Sequence, residues 1–239
     1  MSIKQARSII ADAARPATFS GAGLSAESGI ATFRDAQTGM WATFDPHQLA
    51  SPEGFDANPD RVIDWYNHRR QMIAQTEPNA AHRALANCGW KHITQNVDDL
   101  LHRAGAQTVL QLHGSISIDR CHHHCSFSET IDLETPPARR MCPMCDGPVR
   151  PGVVWFGETL PMDVWEQAHE TCSTCDVLLV IGTSAVVYPA ARLIAVAKDA
   201  GAQVIVVNTQ PSEASTLADI ELIGSAASII PQLLPSADP

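Results

Sequence analysis

Val177-Leu-Leu-Val-Ile181 offers water no polar face, and this narrows the folds open to the chain more than any other stretch. An uninterrupted apolar strand must be covered on both sides, which places it inside a parallel sheet flanked by helices. Val204-Ile-Val-Val207 repeats the pattern, and shorter strand candidates stand at 17–20, 92–95, 108–112 and 220–223. Helical periodicity or capping signals mark 3–14, 60–75, 79–88, 98–104, 162–172, 189–200 and the segment after Gly224. Strands alternating with helices predict an α/β fold on a parallel sheet. Residues 29–59, rich in Gly, Pro, Asp and Ser, read as a long loop of the kind that often lids a substrate site.

In open α/β sheets ligands bind beyond the carboxyl ends of the strands. Here those ends are chemically marked. The first strand runs into Gly21-x-Gly23-x-x-Ala26, a form of the dinucleotide-binding turn, in which glycines allow a tight bend and close approach to a pyrophosphate. Gln95, Asn96 and Asp98 follow the second strand, His113 follows the third, Gly182-Thr183-Ser184 makes another phosphate- or ribose-type turn, and Asn208 ends the 204–207 strand. A hydride-transferring Rossmann enzyme would want an acid at the end of the next strand, ~20 residues on. Asp45 has that spacing, but Pro46 follows it and no apolar strand precedes it, which weakens that reading.

Residues 115–150 break the rhythm. Cys121-x3-Cys125, a gap of 16 residues and Cys142-x2-Cys145 approximate a zinc ribbon, with thiolates on tight knuckles closing a tetrahedral site. The first pair is one residue wider than usual, so a nitrogen of His122, His123 or His124 could replace one sulfur. The segment 150–158, through Val154, Trp155, Phe156, Gly157 and Glu158, reads as an extended edge to which a peptide could add a strand. On the 60–75 helix, Tyr66 and Arg69 share a face. They could clamp a carboxylate, although spacing alone favours a half-buried Tyr beside a solvated Arg.

A net charge of −10 argues against a nucleic-acid-binding face and leaves basic protein segments as suitable partners. Seven cysteines, four of them in close pairs, point to metal binding in a reducing compartment and not to a disulfide framework. No apolar run approaches the ~18 residues of a membrane span. A soluble cytoplasmic protein is the expectation.

Gly21-Ala-Gly-Leu-Ser-Ala-Glu-Ser-Gly-Ile30, Thr32-Phe-Arg-Asp35, Thr94-Gln-Asn-Val-Asp98, Leu112-His-Gly114, the four cysteines, Val153-Val-Trp-Phe-Gly-Glu158 and Gly182-Thr-Ser184 occur in that order. Together they resemble the sirtuins, the NAD-dependent protein-lysine deacylases, over about residues 18–225. The resemblance implies a single catalytic domain over 1–239: a Rossmann-like large domain interrupted by a helical or lid module near 36–80 and a zinc module near 115–152. It implies NAD and one structural Zn2+ per chain, with acyl-lysine proteins or peptides as partners; the sequence leaves the oligomeric state open, with a monomer as the expectation. Ala22, Phe33, Arg34, Gln95, Asn96 and Asp98 would surround the nicotinamide ribose, and Ser184, Asn208 and Ala226 the adenosine half. His113 would be the general base that activates a ribose hydroxyl, giving free lysine, nicotinamide and 2′-O-acyl-ADP-ribose. Tyr66-x-x-Arg69 resembles the class III signature, which implies a preference for succinyl, malonyl or glutaryl groups. A plain deacetylase or an ADP-ribosyltransferase would use the same scaffold. A non-catalytic NAD-sensing module would be expected to lack His113.

Overall fold

The structure is a computed structural model that describes residues 2–30 and 45–234. Phe33, Arg34 and the rest of the Thr32-Phe-Arg-Asp35 motif lie outside the described residues. The chain begins with α1 (Ile3–Asp12) and β1 (Pro16–Ser20), followed after the glycine turn by α2 (Pro46–Leu49), α3 (Pro52–Ala57), α4 (Pro59–Ala74) and α5 (Ala80–Ala86). Next come β2 (Lys91–Thr94), α6 (Leu100–Arg103), β3 (Thr108–Gln111), β4 (Gly114–Cys121), β5 (Ser128–Thr130) and β6 (Val149–Val153). It closes with α7 (Met162–Thr174), β7 (Val177–Ile181), α8 (Arg192–Asp199), β8 (Gln203–Asn208), β9 (Ile220–Ile223) and α9 (Ala226–Leu233).

Six parallel strands form the large sheet in the order β3-β2-β1-β7-β8-β9. Phe19 on β1 registers with Ile93 on one side and Val180 on the other. Strand order reverses between β1 and β7, the switch point at which a doubly wound sheet opens a crevice. Residues of β7 are at most 2% exposed, as the apolar run requires. They alternate between two cores. Leu178 and Val180 pack with Phe19, Leu193 and Ile194, whereas Leu179 and Ile181 pack with Ala6, Leu85 and Ile230. The second sheet is antiparallel, β5-β4-β6, and shares a core with α3 and α4 through Phe55, Val62, Ile63, Tyr66, Ile116 and Trp155. Arg70 of α4 is buried against β4: it donates to the Ile116 carbonyl (3.0 Å) and the Ile118 carbonyl (3.3 Å) and pairs with Asp119 at 2.6 Å. A buried guanidinium is tolerated only with that degree of satisfaction.

Several expectations change. The described part of the long loop holds two short helices, α2 and α3. Their prolines occupy the first helical turn, where no N–H is needed, and Asp45 and Ser51 cap the His47 and Gly54 amides at 3.0 Å each. Read as loop markers in sequence, these residues are helix starts. After Gly21 the chain makes two turns of 3-10 helix, Ala22–Leu24 and Ala26–Ser28, in place of a regular helix. The helix expected over 98–104 is confined to Leu100–Arg103, and the 150–158 strand stops at Val153. No helix among the described residues is long and apolar enough to cross a membrane.

Two histidines are enclosed by this fold. His92 lies between β1 and β2 with its Nδ1 2.9 Å from Thr18 Oγ1, and His82 opens α5. Burial pushes both down to about 4. Below pH 6.5 the unfolded chain binds protons that the folded chain does not, so stability is full above that pH and falls as pH drops towards 4. Each histidine costs roughly 1.4 kcal/mol per pH unit in that window. Thermal midpoints measured from pH 7 to pH 4.5 are expected to fall steeply, with a shallower slope in His92→Asn.

Candidate active site and metal centre

The crevice beyond β1 and β7 is floored by two turns in backbone contact. The Gly21 amide donates to the Ile181 carbonyl (3.0 Å), and the Gly23 amide to the Gly182 carbonyl (2.8 Å). A Cβ on Gly23 would sit 2.6 Å from Gly182 Cα, and Gly182 itself has φ +57°. Here the glycines are needed first for the two turns to touch. Around them, Gln95 Nε2 donates to Thr183 Oγ1 (2.9 Å), and Asn208 Nδ2 donates to the Thr183 carbonyl (2.9 Å). Thr183 thereby ties the ends of β2, β7 and β8 together, with Ser184 half-buried beside it. Ala226 begins α9, and the next amide, of Ala227, donates to Glu27 Oε2 at 2.7 Å, anchoring that helix to the Ala22–Ser28 turns.

On the other side of the crevice, Ser25 Oγ joins the polar residues. The Asn79 amide donates to His82 Nδ1 (3.3 Å), so the His82 proton sits on Nε2 and points at Ser25 Oγ, 3.4 Å away. Asn96 Nδ2 also donates to Ser25 Oγ (3.1 Å), and the hydroxyl donates onward to Asp98 Oδ2 (2.9 Å). One O–H and two lone pairs are thus all used. Burial raises the Asp98 pKa, opposed by bonds from the Leu100 amide and Ser25. Neither Ser25 nor His82 was legible as a site residue. Ser25 is one more small residue in the glycine segment, and Asn79-x-x-His82 signals only a helix start.

His113 stands between β3 and β4 with Nδ1 3.0 Å from the Gln95 carbonyl. A carbonyl can only accept, so Nδ1 carries the proton and Nε2 keeps its lone pair. Burial lowers the pKa of the ring below the ordinary 6.5.

Tyr66 and Arg69 project from α4 towards the same region. The Tyr66 hydroxyl accepts from Trp155 Nε1 (2.8 Å). Arg69 lies 4.9 Å from the centre of the Trp65 ring and is within electrostatic reach of Tyr66 and Asp98. Its Nε is buried and has no hydrogen-bond partner among the described residues. Beyond Val153 the 150–158 segment is no longer strand, and a turn occupies residues 156 and 157. The Val154 amide donates to the His113 carbonyl and the Phe156 amide to the Ala50 carbonyl, both at 2.9 Å. Gly157 has φ +85°, and the Glu158 carboxylate is turned inwards to Arg120 and Arg150.

Away from the crevice, the Sγ atoms of Cys121, Cys125, Cys142 and Cys145 all lie within 4.8 Å of one another. Tetrahedral zinc with Zn–S ~2.3 Å sets sulfurs ~3.8 Å apart, so the four are positioned to hold a structural zinc. Among the described residues this cluster of ligand atoms is made of the four cysteines alone; His122 Nε2 instead meets Asp56 Oδ1 at 3.2 Å, and the His123 ring fills the space where Gly147 has no Cβ. Exhaustive chelation is expected to remove one zinc per chain and to lower the thermal midpoint, because the small core around these cysteines holds little else than Val149 and Phe127. Metal-to-protein ratios with parallel melting curves check this, and an unchanged midpoint would contradict a structural zinc.

The chain matches the Sir2 family over residues 21–189. It is similar to an NAD-dependent protein deacylase of Ralstonia nicotianae, 44% identical over 234 residues that cover 96% of this chain and 95% of the relative. It is also similar to an NAD-dependent protein deacylase of Mycobacterium tuberculosis, 46% identical over 231 residues, 92% of this chain and 96% of the relative. A solved Sir2 homolog–NAD complex superposes with a TM-score of 0.91 at 39% identity, covering 98% of this chain and 92% of its own.

Proposed function

The chain belongs to the Sir2 family, and from that membership we propose that it is an NAD-dependent protein-lysine deacylase that prefers acidic acyl groups. The residues present fit a dinucleotide: a switch-point crevice, two glycine turns in contact beneath it, and amide and carboxylate groups on its rim. When bound, NAD would supply an electrophilic ribose carbon for the acyl oxygen and a ribose 2′-hydroxyl to receive the acyl group, one water being consumed overall as nicotinamide and free lysine are released. Every other element comes from the chain.

His113 is the base. Its Nδ1–H is held by the Gln95 carbonyl, so Nε2 is the atom that takes a ribose hydroxyl proton. Burial keeps the imidazole neutral at pH 7, the form a base needs. The Ser25 hub fixes Asn96 and Asp98 in one arrangement before ligand arrives, which removes reorganisation from the binding step. Gln95 and Asn208, both bonded to Thr183, hold the strand ends at a fixed spacing.

The acyl preference rests on one observation, the buried Arg69 Nε that has no hydrogen-bond partner among the described residues, on a guanidinium within electrostatic reach of Tyr66. A guanidinium so placed calls for an anion, and removing one member of a buried pair typically costs several kcal/mol. A succinyl, malonyl or glutaryl carboxylate would complete the pair; an acetyl group would not. Mass spectrometry of matched acetyl-, succinyl- and glutaryl-lysine peptides, incubated with enzyme with and without NAD, tests both parts. Loss of acyl groups only with NAD supports the deacylase, and faster loss of the acidic groups supports the clamp. Equal rates on acetyl and succinyl peptides would leave a general deacetylase, and label passing from NAD to protein would indicate an ADP-ribosyltransferase.

A further inference from the structure

Trp155 is 2% exposed, too enclosed to serve as a broad peptide contact. Its indole is instead fixed from several directions. The Arg150 guanidinium, itself fully buried, lies 3.9 Å over the ring centre and donates to the Val153 carbonyl at 3.1 Å. Glu158 pairs with Arg150 through one carboxylate oxygen. Through the other it accepts the Trp155 main-chain amide at 2.8 Å and Arg120 at 2.9 Å. Phe55 packs on the same indole, centroids 5.4 Å apart. A ring held in this way has one direction for its N–H, and that direction is the Tyr66 hydroxyl, 2.8 Å away.

The chemistry of that bond is one-sided. Indole N–H can only donate, so the Tyr66 oxygen accepts. A phenol that accepts on a lone pair still has its own proton to place. Tyr66 is 3% exposed, and water is a poor candidate to take that proton. Among the described residues the Tyr66 hydroxyl makes no hydrogen bond besides that from Trp155, which leaves its proton for an acceptor delivered beside Arg69. A cation over the indole face also draws electron density from the ring and strengthens the N–H as a donor.

We propose that Trp155, oriented by the Arg150–Glu158 pair, is a positioning residue for acyl selectivity: its indole N–H occupies the acceptor side of the Tyr66 hydroxyl and commits the phenolic proton to the carboxylate of an acidic acyl-lysine. The proposal rests on the acidic-acyl reading above. Glu158 and Trp155 then act on the substrate through Tyr66 and not by touching it.

The test compares succinyl- and acetyl-lysine peptides of one sequence with four enzymes: wild type, Trp155→Phe, Tyr66→Phe and the double variant. Trp155→Phe keeps an aromatic ring and deletes the donor. It is expected to lower the succinyl-to-acetyl ratio of kcat/KM about tenfold, the scale of one hydrogen bond, mainly through the succinyl KM. In the Tyr66→Phe background the same change is expected to add nothing to the ratio, because its route is gone. Trp155→His, whose ring N–H can donate, should recover part of the ratio. Equal falls on both peptides, or additive falls in the double variant, would overturn the proposal and leave Trp155 a packing residue. If Trp155→Phe does not fold, Arg150→Lys is read in its place, with an unchanged ratio overturning the proposal. A wild type that removes acetyl as fast as succinyl sinks the acidic-acyl reading itself. A wild type that prefers succinyl and loses that preference in Tyr66→Phe but not in Trp155→Phe sinks only the positioning role.

Discussion

His113→Ala is expected to lower kcat for deacylation by about 10²–10⁴-fold, the contribution of a positioned general base. The fold should persist, since the side chain makes a single hydrogen bond, from Nδ1 to the Gln95 carbonyl, and that carbonyl lies at the crevice where water can replace it. The expectation has a second, independent signature in the wild type. Because burial depresses the His113 pKa, the base form predominates at neutral pH and is lost only as pH falls through a value below 6.5. The acid limb of kcat/KM should therefore lie below that of a free imidazole, and it should vanish from the residual activity of the alanine variant. An acid limb at or above pH 6.5 would contradict the enclosure of the ring. His113→Tyr with unchanged NAD consumption would remove the base from the mechanism altogether.

Arg69→Met is expected to cost about 10²–10³-fold on succinyl-lysine, the scale of stripping one partner from a buried charge pair. The acetyl reaction should fall far less, so that the order of preference inverts. The contrast with Arg69→Lys is informative. Lysine keeps the charge and loses the planar fork, so an intermediate loss isolates the bidentate part of the interaction. Arg69 also lies in the field of Asp98. Deleting it withdraws a cation from a carboxylate whose pKa burial already raises, so part of any common loss on both peptides reports on NAD binding. Comparing the KM for NAD between the two variants separates that effect from acyl recognition. Equal losses on acetyl and succinyl peptides would reduce Arg69 to a support for the nicotinamide side.

Parts of the molecule were legible because their physics is local. Val177–Ile181 had to be central, and the polar residues ending each strand had to gather at one edge of the sheet, so Gln95, Asn96, His113, Thr183 and Asn208 were found together. The cysteine spacing marked the metal centre in the same way, and the structure brings the four sulfurs within 4.8 Å of one another, positioned to hold a structural zinc. What the sequence hid depends on distant contacts. Gly23 needs no side chain because Gly182, far along the chain, presses on it. Ser25 and His82 become site residues only because α5 swings against the first glycine turn. Glu158 resembled an edge residue, yet Arg120 of β4 and Arg150 of β6 draw its carboxylate inside. Pro46 and Pro52 were ambiguous in principle, since proline is as much at home in a loop as in the first turn of a helix.

Arg70 sits next to Arg69 on α4, and its bonds run to the carbonyls of Ile116 and Ile118, on the strand β4 that begins directly after His113. On the proposed reading, the acyl clamp on α4 is thus surveyed from the proposed base: helix and His113 share one benchmark only a few residues away. If the clamp reading holds, changes of side chain at 66 and 69 are expected to retune which acyl group is accepted while that benchmark stays put, which would make these positions a dial for engineering. Adding or removing a residue within α4, or between His113 and Ile116, would shift the benchmark itself and throw every acyl group out of line with the base at once.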